Sequence, residues 1–385
     1  MYILKLLIRN AFRHRLRTSL TILSITIAIL SFGLLRTFIT AWYAGAEASS
    51  ANRLVTRNAI SLIFPLPLSY KDKIRQVDGV KNVSWGQFFG GIYKDEKNFF
   101  ANYAYDAKSG LELYPEFILP PDQKEAFIRD RKACFAGRKL AEKYHWRIGD
   151  AITLKGTAFP GNWEFVLRGI YHGRDESTDE AIFVFHWDYL NETLKKTFPG
   201  RANQVGHYVV EVTDPNRAAE VAQAIDKMFK NSLAETLTET ERAFFLSFLS
   251  MAGAIIVAIQ LVSFVVIIII IAVTANTMAM TARERIGEYA IFKTLGFRAW
   301  RIAGMIIGES LVITMIGCLI GIGLTPPAAK VFGKAVGSYF PTFKVEVATI
   351  YMDMGASILV GLFAAIIPTW RAAKIRIADG LRRIG

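Results

Sequence analysis

The chain has 385 residues, is 52% hydrophobic and has a mean hydropathy of +0.29, which places it with membrane proteins rather than with soluble domains of similar length. Its formal charge of +13 is not spread evenly: residues 42–248 hold 27 basic and 27 acidic side chains, so the whole excess lies outside them. A nucleic-acid binder would spread basic residues over a folded face, whereas clusters abutting apolar runs mark the cytoplasmic side of a membrane, so nucleic acid is excluded as a partner.

The first cluster is residues 1–17, MYILKLLIRNAFRHRLR, with Ile3, Leu6, Leu7 and Asn10 on one helical face and Lys5, Arg9, Arg13 and Arg17 on another. This predicts an amphipathic cytoplasmic helix at the headgroup layer. A first transmembrane helix follows over 18–42, read as an uncleaved signal-anchor, with Arg36 snorkelling at its outer end and Trp42 and Tyr43 as interface anchors. Residues 43–65 are assigned to a stalk.

Residues 66–232 have the pattern of a soluble mixed α/β domain, large enough for its own core. Helices are predicted over 70–77 and 217–229, and strands over 80–85, 99–105, 181–185 and 207–212. A hairpin is predicted from 150–154 and 164–170 about Pro160-Gly161. Helix and strands early and strand and helix late suggest one lobe closed by both ends of the segment. A β-rich lobe would then be inserted over about 110–202. The aromatics Phe88, Phe89, Tyr93, Phe99, Phe100 and Tyr103 are expected mainly in the core.

Ala243–Ala282 has no charge and no proline over 40 residues. A helix of that length reaches about 60 Å, twice a hydrocarbon core, so only part can lie in lipid. A helical stalk is assigned to 233–255 and the second transmembrane helix to 256–280. Residues 281–301 form a charged cytoplasmic helix, with Ile286, Tyr289, Ala290 and Lys293 on one face and Gly296 at its stop. A third span over 302–325 ends at Pro326-Pro327, a periplasmic loop covers 326–348, and a fourth span over 349–370 precedes a basic tail, 371–385. Glu309 is the acid well inside a span, and pairing with a neighbouring helix is its simplest role. Asp353 is expected to snorkel near the outer interface. Gly317, Gly321 and Gly323 would permit close helix approach.

No G-x-x-x-x-G-K-[ST], H-E-x-x-H, G-x-S-x-G or C-x-x-C occurs. Cys134 and Cys318 fall in different regions and imply no disulfide framework. His172, Asp175 and Glu176 are a solvated loop rather than a metal site, and no catalytic residues or metal are assigned.

Four stretches in order resemble the permease subunits of the MacB/FtsX-like ABC transporter family: RHRLRTSLTILSITIAI (13–29), TARERIGEYAIFKTLGF (281–297), GESLVITMIGCLIGIG (308–323) and PTWRAAKIRIADGLR (368–382). Residues 135–156 also look like the outer domain of that family. The resemblance implies an α-helical membrane protein with four transmembrane helices, long extracytoplasmic stalk helices and a large mixed α/β periplasmic domain between spans one and two. It implies a bacterial inner-membrane location with both termini cytoplasmic, and a second permease copy, identical or not, as partner. It further implies a separate cytoplasmic ABC ATPase that binds ATP and Mg, no enzyme activity in this chain, and Arg283, Glu284, Arg285, Glu288, Ile291, Lys293, Leu295 and Gly296 as ATPase-coupling residues. A periplasmic adaptor and membrane lipid are further expected partners. The expected function is mechanotransmission for export or extraction of an amphiphilic cargo such as a lipid, lipoprotein, peptide or drug. The alternative is an FtsX-like regulator that transports nothing and activates a periplasmic cell-wall hydrolase.

Overall fold

The computed structural model describes residues 2–96, 98, 100–175, 177–250, 253–336 and 343–374, the side chains of 2–6 and 334–336 apart. In chain order the helices are α1 (Tyr2–Ala11), α2 (Arg15–Glu47), α3 (Tyr70–Ile74), α4 (Ala107–Leu113), α5 (Pro121–Arg129), α6 (Arg138–Tyr144), α7 (Trp187–Thr197), α8 (Ala218–Met228), α9 (Glu241–Ser250), α10 (Gly253–Glu284), α11 (Ile286–Thr294), α12 (Ala299–Val336) and α13 (Val347–Lys374). The strands are β1 (Arg53–Asn58), β2 (Leu66–Pro67), β3 (Val80–Phe88), β4 (Gly91–Ile92), β5 (Ala101–Tyr105), β6 (Phe117–Ile118), β7 (Ala133–Gly137), β8 (Ala151–Gly156), β9 (Gly161–Gly173), β10 (Ile182–His186), β11 (Gln204–Val205), β12 (His207–Val212) and β13 (Thr236–Thr240). The chain divides into a helical unit, residues 1–40, 253–334 and 343–385, and a sheet unit, residues 41–252 and 335–342.

In the helical unit, α2, α10, α12 and α13 are each long and apolar enough to cross a membrane. The β-branched run of α10 is helical because lipid offers its backbone no other hydrogen-bond partner. α10 lies along α13, and its remaining surface exposes Leu261, Phe264, Ile268 and other apolar side chains suited to lipid. α12 meets α2 through Gly317 and Gly321. A Cβ added at these glycines would lie 2.7 Å from Ile25 Cγ2 and 2.9 Å from Ile29 Cβ. Thr26 Oγ1 donates to the Gly317 carbonyl at 3.2 Å across the same contact. Gly323 has nothing within 4 Å and is not part of that seam.

Several expected boundaries move. α12 does not stop at Pro326-Pro327 but runs to Val336, so the first part of the expected 326–348 loop is helix. Two prolines remove the hydrogen bonds to two carbonyls, those of Ile322 and Gly323, while Thr325 Oγ1 donates to Gly321 O at 2.8 Å and holds the turn just ahead. The charged helix is shorter than 281–301: α10 continues to Glu284, Arg285 breaks the path, and α11 covers 286–294. The tail beyond 374 lies outside the described residues, as does the expected outer-domain residue Phe99.

In the sheet unit ten strands run in the order β13-β1-β12-β3-β5-β10-β7-β9-β8-β4, with β6 on β9; β2 and β11 form a separate pair. The β10–β5 and β7–β9 pairs are parallel and the others antiparallel. The main core packs Phe89, Phe100, Phe165, Phe183 and Phe185 with Leu54, Val83 and Val210. A smaller one packs Phe127, Phe135 and Tyr171. Phe88 is exposed, whereas Tyr93 and Tyr103 are half-buried.

The two expected stalks are the main corrections here. Residues 43–65 contain the end of α2 and then β1, and residues 233–255 begin with β13, so neither is a continuous helix. β1 and β13 are antiparallel neighbours with Val55 opposite Glu239. Their polar side chains hid them from an apolar pattern, but those side chains pair internally. Thr56 Oγ1 meets Thr238 Oγ1 at 2.9 Å, and Asp226 accepts from Thr236 and Thr238. Arg53, 5% exposed, donates to Glu241 at 2.8 Å and to both oxygens of Glu116 at 2.6 and 3.0 Å. Nor is 110–202 a separate inserted lobe: β10 lies beside β5 and carries β7, β9 and β8 into the same sheet.

Candidate functional site

At one end of the helical unit, the turn between α1 and α2 meets α11. Thr18 Oγ1 donates to the Ala11 carbonyl at 2.5 Å, satisfying one of the carbonyls left free where α1 ends. The turn presents Arg13, and α2 presents Arg17. Arg17 donates twice to the Glu284 carboxylate, at 2.8 and 2.9 Å, and His14 Nε2 lies 3.5 Å from it. Arg13 pairs with Glu288. Glu288 also accepts from Arg285 Nε at 2.9 Å, and Arg285 Nη1 donates to Glu309 at 2.8 Å. One acid thus joins an exposed and a buried guanidinium. Partial burial works against the Glu288 charge, but hydrogen bonds from Arg285 and Arg13 outweigh it and hold the carboxyl below its usual range.

Arg285 is 6% exposed and Glu309 is 4% exposed, so their pair is cut off from water. The guanidinium also lies 5.5 Å from the Tyr289 ring centroid. Tyr289 packs with Ala282, Ile302, Ile306 and Ala372, so the ion pair is sealed under an apolar cluster. Arg285 falls where the chain leaves α10, and its planar fork serves one acid on α11 and another on α12. Lys293 Nζ donates to the Ala373 carbonyl at 2.8 Å, tying the last turn of α11 to the end of α13.

The other side of this corner is open. Ile291, Leu295, Phe297 and Trp300 are exposed, Leu295 at 68% and Trp300 at 65%. They flank Gly296, whose φ of +88° needs a glycine; a Cβ there would meet nothing within 4 Å, so conformation and not space dictates the residue.

The eight residues singled out in the charged helix therefore separate. Arg285, Glu288 and Lys293 turn inward as braces, together with Glu284. Arg283, Ile291 and Leu295 face outward, and Gly296 shapes the turn. The helical face expected from spacing is the inward one: Tyr289 and Ala290 are buried, Ile286 and Lys293 half-buried. Glu309 pairs with Arg285, not with its own-helix neighbour Arg301. The bracing by Arg13, His14 and Arg17 escaped sequence reading, because nothing in a local pattern joins positions more than 260 residues apart. Asp353 does not snorkel: it is 1% exposed and its carboxylate has no hydrogen-bond partner.

The α11–α12 part of this corner lies within residues 260–377, which match a family described as FtsX-like permease C-terminal. Over those residues the chain carries an FtsX-like permease domain. The permease is similar to an uncharacterised ABC transporter permease of Methanocaldococcus jannaschii, 25% identical over 80% of this chain and 77% of that one. It is also similar to the lipoprotein-releasing system transmembrane protein LolC of Haemophilus influenzae, 24% identical over 64% of this chain and 63% of LolC. The macrolide export ATP-binding/permease protein MacB of Neisseria gonorrhoeae is 29% identical over 28% of this permease, a match spanning 16% of MacB. The extracellular domain of YknZ, from Gram-positive bacteria, covers 49% of the permease and 99% of its own length at 12% identity. Its TM-score of 0.36 is too low to bear on the fold. The permease is a membrane protein, built from four apolar helices and a mixed-sheet unit.

Proposed function

We propose that the permease is the transmembrane subunit of a bacterial ABC transporter, and that a separate cytoplasmic ATPase, binding ATP and Mg, grips it at α11. The observation that carries this reading is the two-sidedness of the corner. One side is fixed to the α1–α2 turn, α2, α12 and α13 by ion pairs and by the Lys293 bond; the other shows four large apolar side chains around a tight turn. A surface that must transmit force needs both a rigid mount and an apolar contact for a partner. The corner then faces the cytoplasm of the inner membrane, in keeping with the basic residues around it.

In this mechanism nucleotide-driven closure of the ATPases moves α11 as a lever. The motion passes to α2 through Arg13–Glu288 and Arg17–Glu284, and to α10 directly. α2 and α9 adjoin β1 and β13 in the chain, and these are paired neighbours clamped by Arg53–Glu241. This is mechanotransmission, with a second permease copy across the membrane helices. Lipoprotein release by LolC and macrolide export by MacB fit an amphiphilic cargo handled on the outer side.

The test is affinity purification from native membranes of wild type, Leu295→Asp with Trp300→Asp, and Glu288→Ala. A P-loop ATPase is expected with wild type, lost with the surface double variant, and retained but uncoupled in Glu288→Ala. A cell-wall hydrolase co-purifying without cargo-dependent ATP turnover would replace transport by regulation, and no ATPase under any condition would refute the proposal.

A further inference from the structure

Asp353, in α13, is a membrane carboxylate left without a solvating group. It is 1% exposed, and neither oxygen has a hydrogen-bond partner among the described residues. Oδ2 points to the place where α2 and α12 converge. It lies 3.1 Å from the point a Cβ on Gly33 would occupy, and Thr325 Oγ1 lies 3.2 Å from the same point. The nearby hydroxyls on α12 and α2 donate within their own helices. Thr325 Oγ1 donates to Gly321 O at 2.8 Å, and Thr37 Oγ1, one turn from Gly33, donates to Gly33 O at 2.7 Å. Cys318 Sγ reaches the backbone carbonyl of Asp353 itself, at 3.6 Å.

Towards the end of the helices where Asp353 lies, the charged and titratable groups are Arg36, Tyr43 and Glu47 on α2, Cys318 and Lys330 on α12, and Glu346 and Tyr351 beside and on α13; α10, which lies along α13, carries none before Arg283. Among the described residues none forms an ion pair with Asp353. An ionised carboxylate here would therefore have neither counter-charge nor donor, an arrangement membrane interiors do not sustain. A coordinated metal cation needs a shell of oxygen ligands and space for itself. The close approach at Gly33 leaves no room for one added carbon without displacement. A proton needs neither.

We propose that Asp353 is a proton-binding site within the membrane helices, occupied while α2, α12 and α13 are packed around it. The proton is taken from water onto a carboxylate oxygen, and it returns to water when helix separation admits solvent to the carboxyl. Proton uptake and release then accompany the opening and closing of these helices, whatever partner α11 engages.

The experiment is infrared difference spectroscopy of the full chain in lipid nanodiscs, wild type minus Asp353→Asn, near neutral pH. Asn is close in shape to the neutral acid and preserves the packing. The expected result is a protonated-carboxyl carbonyl band present only in wild type, shifted in deuterium oxide and unchanged by sodium or potassium. Carboxylate bands in its place, or a band abolished by added sodium, overturn the proposal. Labelling of wild type alone with N,N′-dicyclohexylcarbodiimide, which attacks protonated carboxyls in apolar surroundings, keeps the test independent of the variant. Mass spectrometry is expected to place the adduct on Asp353, and an unmodified Asp353 counts against the site.

Discussion

Replacing Arg285 by alanine removes one partner of a sealed ion pair and leaves Glu309 at 4% exposure with no counter-charge. Breaking a buried pair in this way costs about 3–5 kcal/mol; protonation of the orphaned acid caps the penalty near the lower end. The Tyr289 contact and the Glu288 bond are lost with the same side chain. Arg285→Lys retains charge but cannot span both acids with one planar fork, so about 1–2 kcal/mol is expected. Removing both charges together, Arg285→Leu with Glu309→Leu, leaves nothing unpaired and is expected within about 1 kcal/mol of wild type. Arg13→Ala breaks the more exposed pair with Glu288 and is expected to cost under about 1 kcal/mol. The assay is reversible unfolding of the purified protein in mixed micelles, read as a double-mutant cycle. Arg285→Ala no more harmful than Arg13→Ala, or a double variant worse than either single one, would refute the view of this pair as a buried brace.

Two further outcomes are expected. Gly317→Leu and Gly321→Leu place side chains against Ile25 and Ile29 and are expected to cost about 1–3 kcal/mol each by overpacking; Gly323→Ala meets nothing and is expected to leave melting unchanged or raise it slightly. His207, half-buried beside Tyr105 with its Nε2 3.1 Å from the hydroxyl, has its pKa pushed down to about 4 by loss of solvation, so the unfolded chain binds the extra proton between roughly pH 6.5 and that value. The stability of β12 is therefore fully present at neutral pH and declines as pH falls through that window. Hydrogen exchange of the full chain at pH 7 and pH 5 is expected to show the loss in wild type and a flatter response in His207→Gln.

Much of the architecture was legible because its signals are local. Apolar length revealed the four long apolar helices, strand-like composition revealed β3, β5, β10 and β12, and alternation about a turn revealed β8 and β9. β1 and β13 were not legible: RLVTRN and TLTET carry polar side chains that are buried only because Asp226, Glu116 and Glu241 arrive from elsewhere in the chain to satisfy them. Pro326-Pro327 misled for the opposite reason, since a local breaker was overridden by turns on both sides that remain bonded. In the charged helix, spacing identified the correct face but not its direction. Whether Tyr289 and Ala290 face a partner or the protein interior depends on Ile302, Ile306 and Ala372, which no helical period in that segment encodes. Glu309 was recognisable as anomalous from its place in an apolar run, but its counter-ion was not.

The β1–β13 pairing also limits the kind of motion that can pass along the chain. Side chains alternate between faces along a strand, so a slip of one residue would turn Thr56 and Thr238 away from the face they share and pull Arg53 off its two acids. The smallest slip that preserves the faces is two residues, which breaks the whole ladder. Were α2 and α9 pulled in opposite directions, this joint would have no graded sliding response: the two strands would tilt as one body or stay where they are.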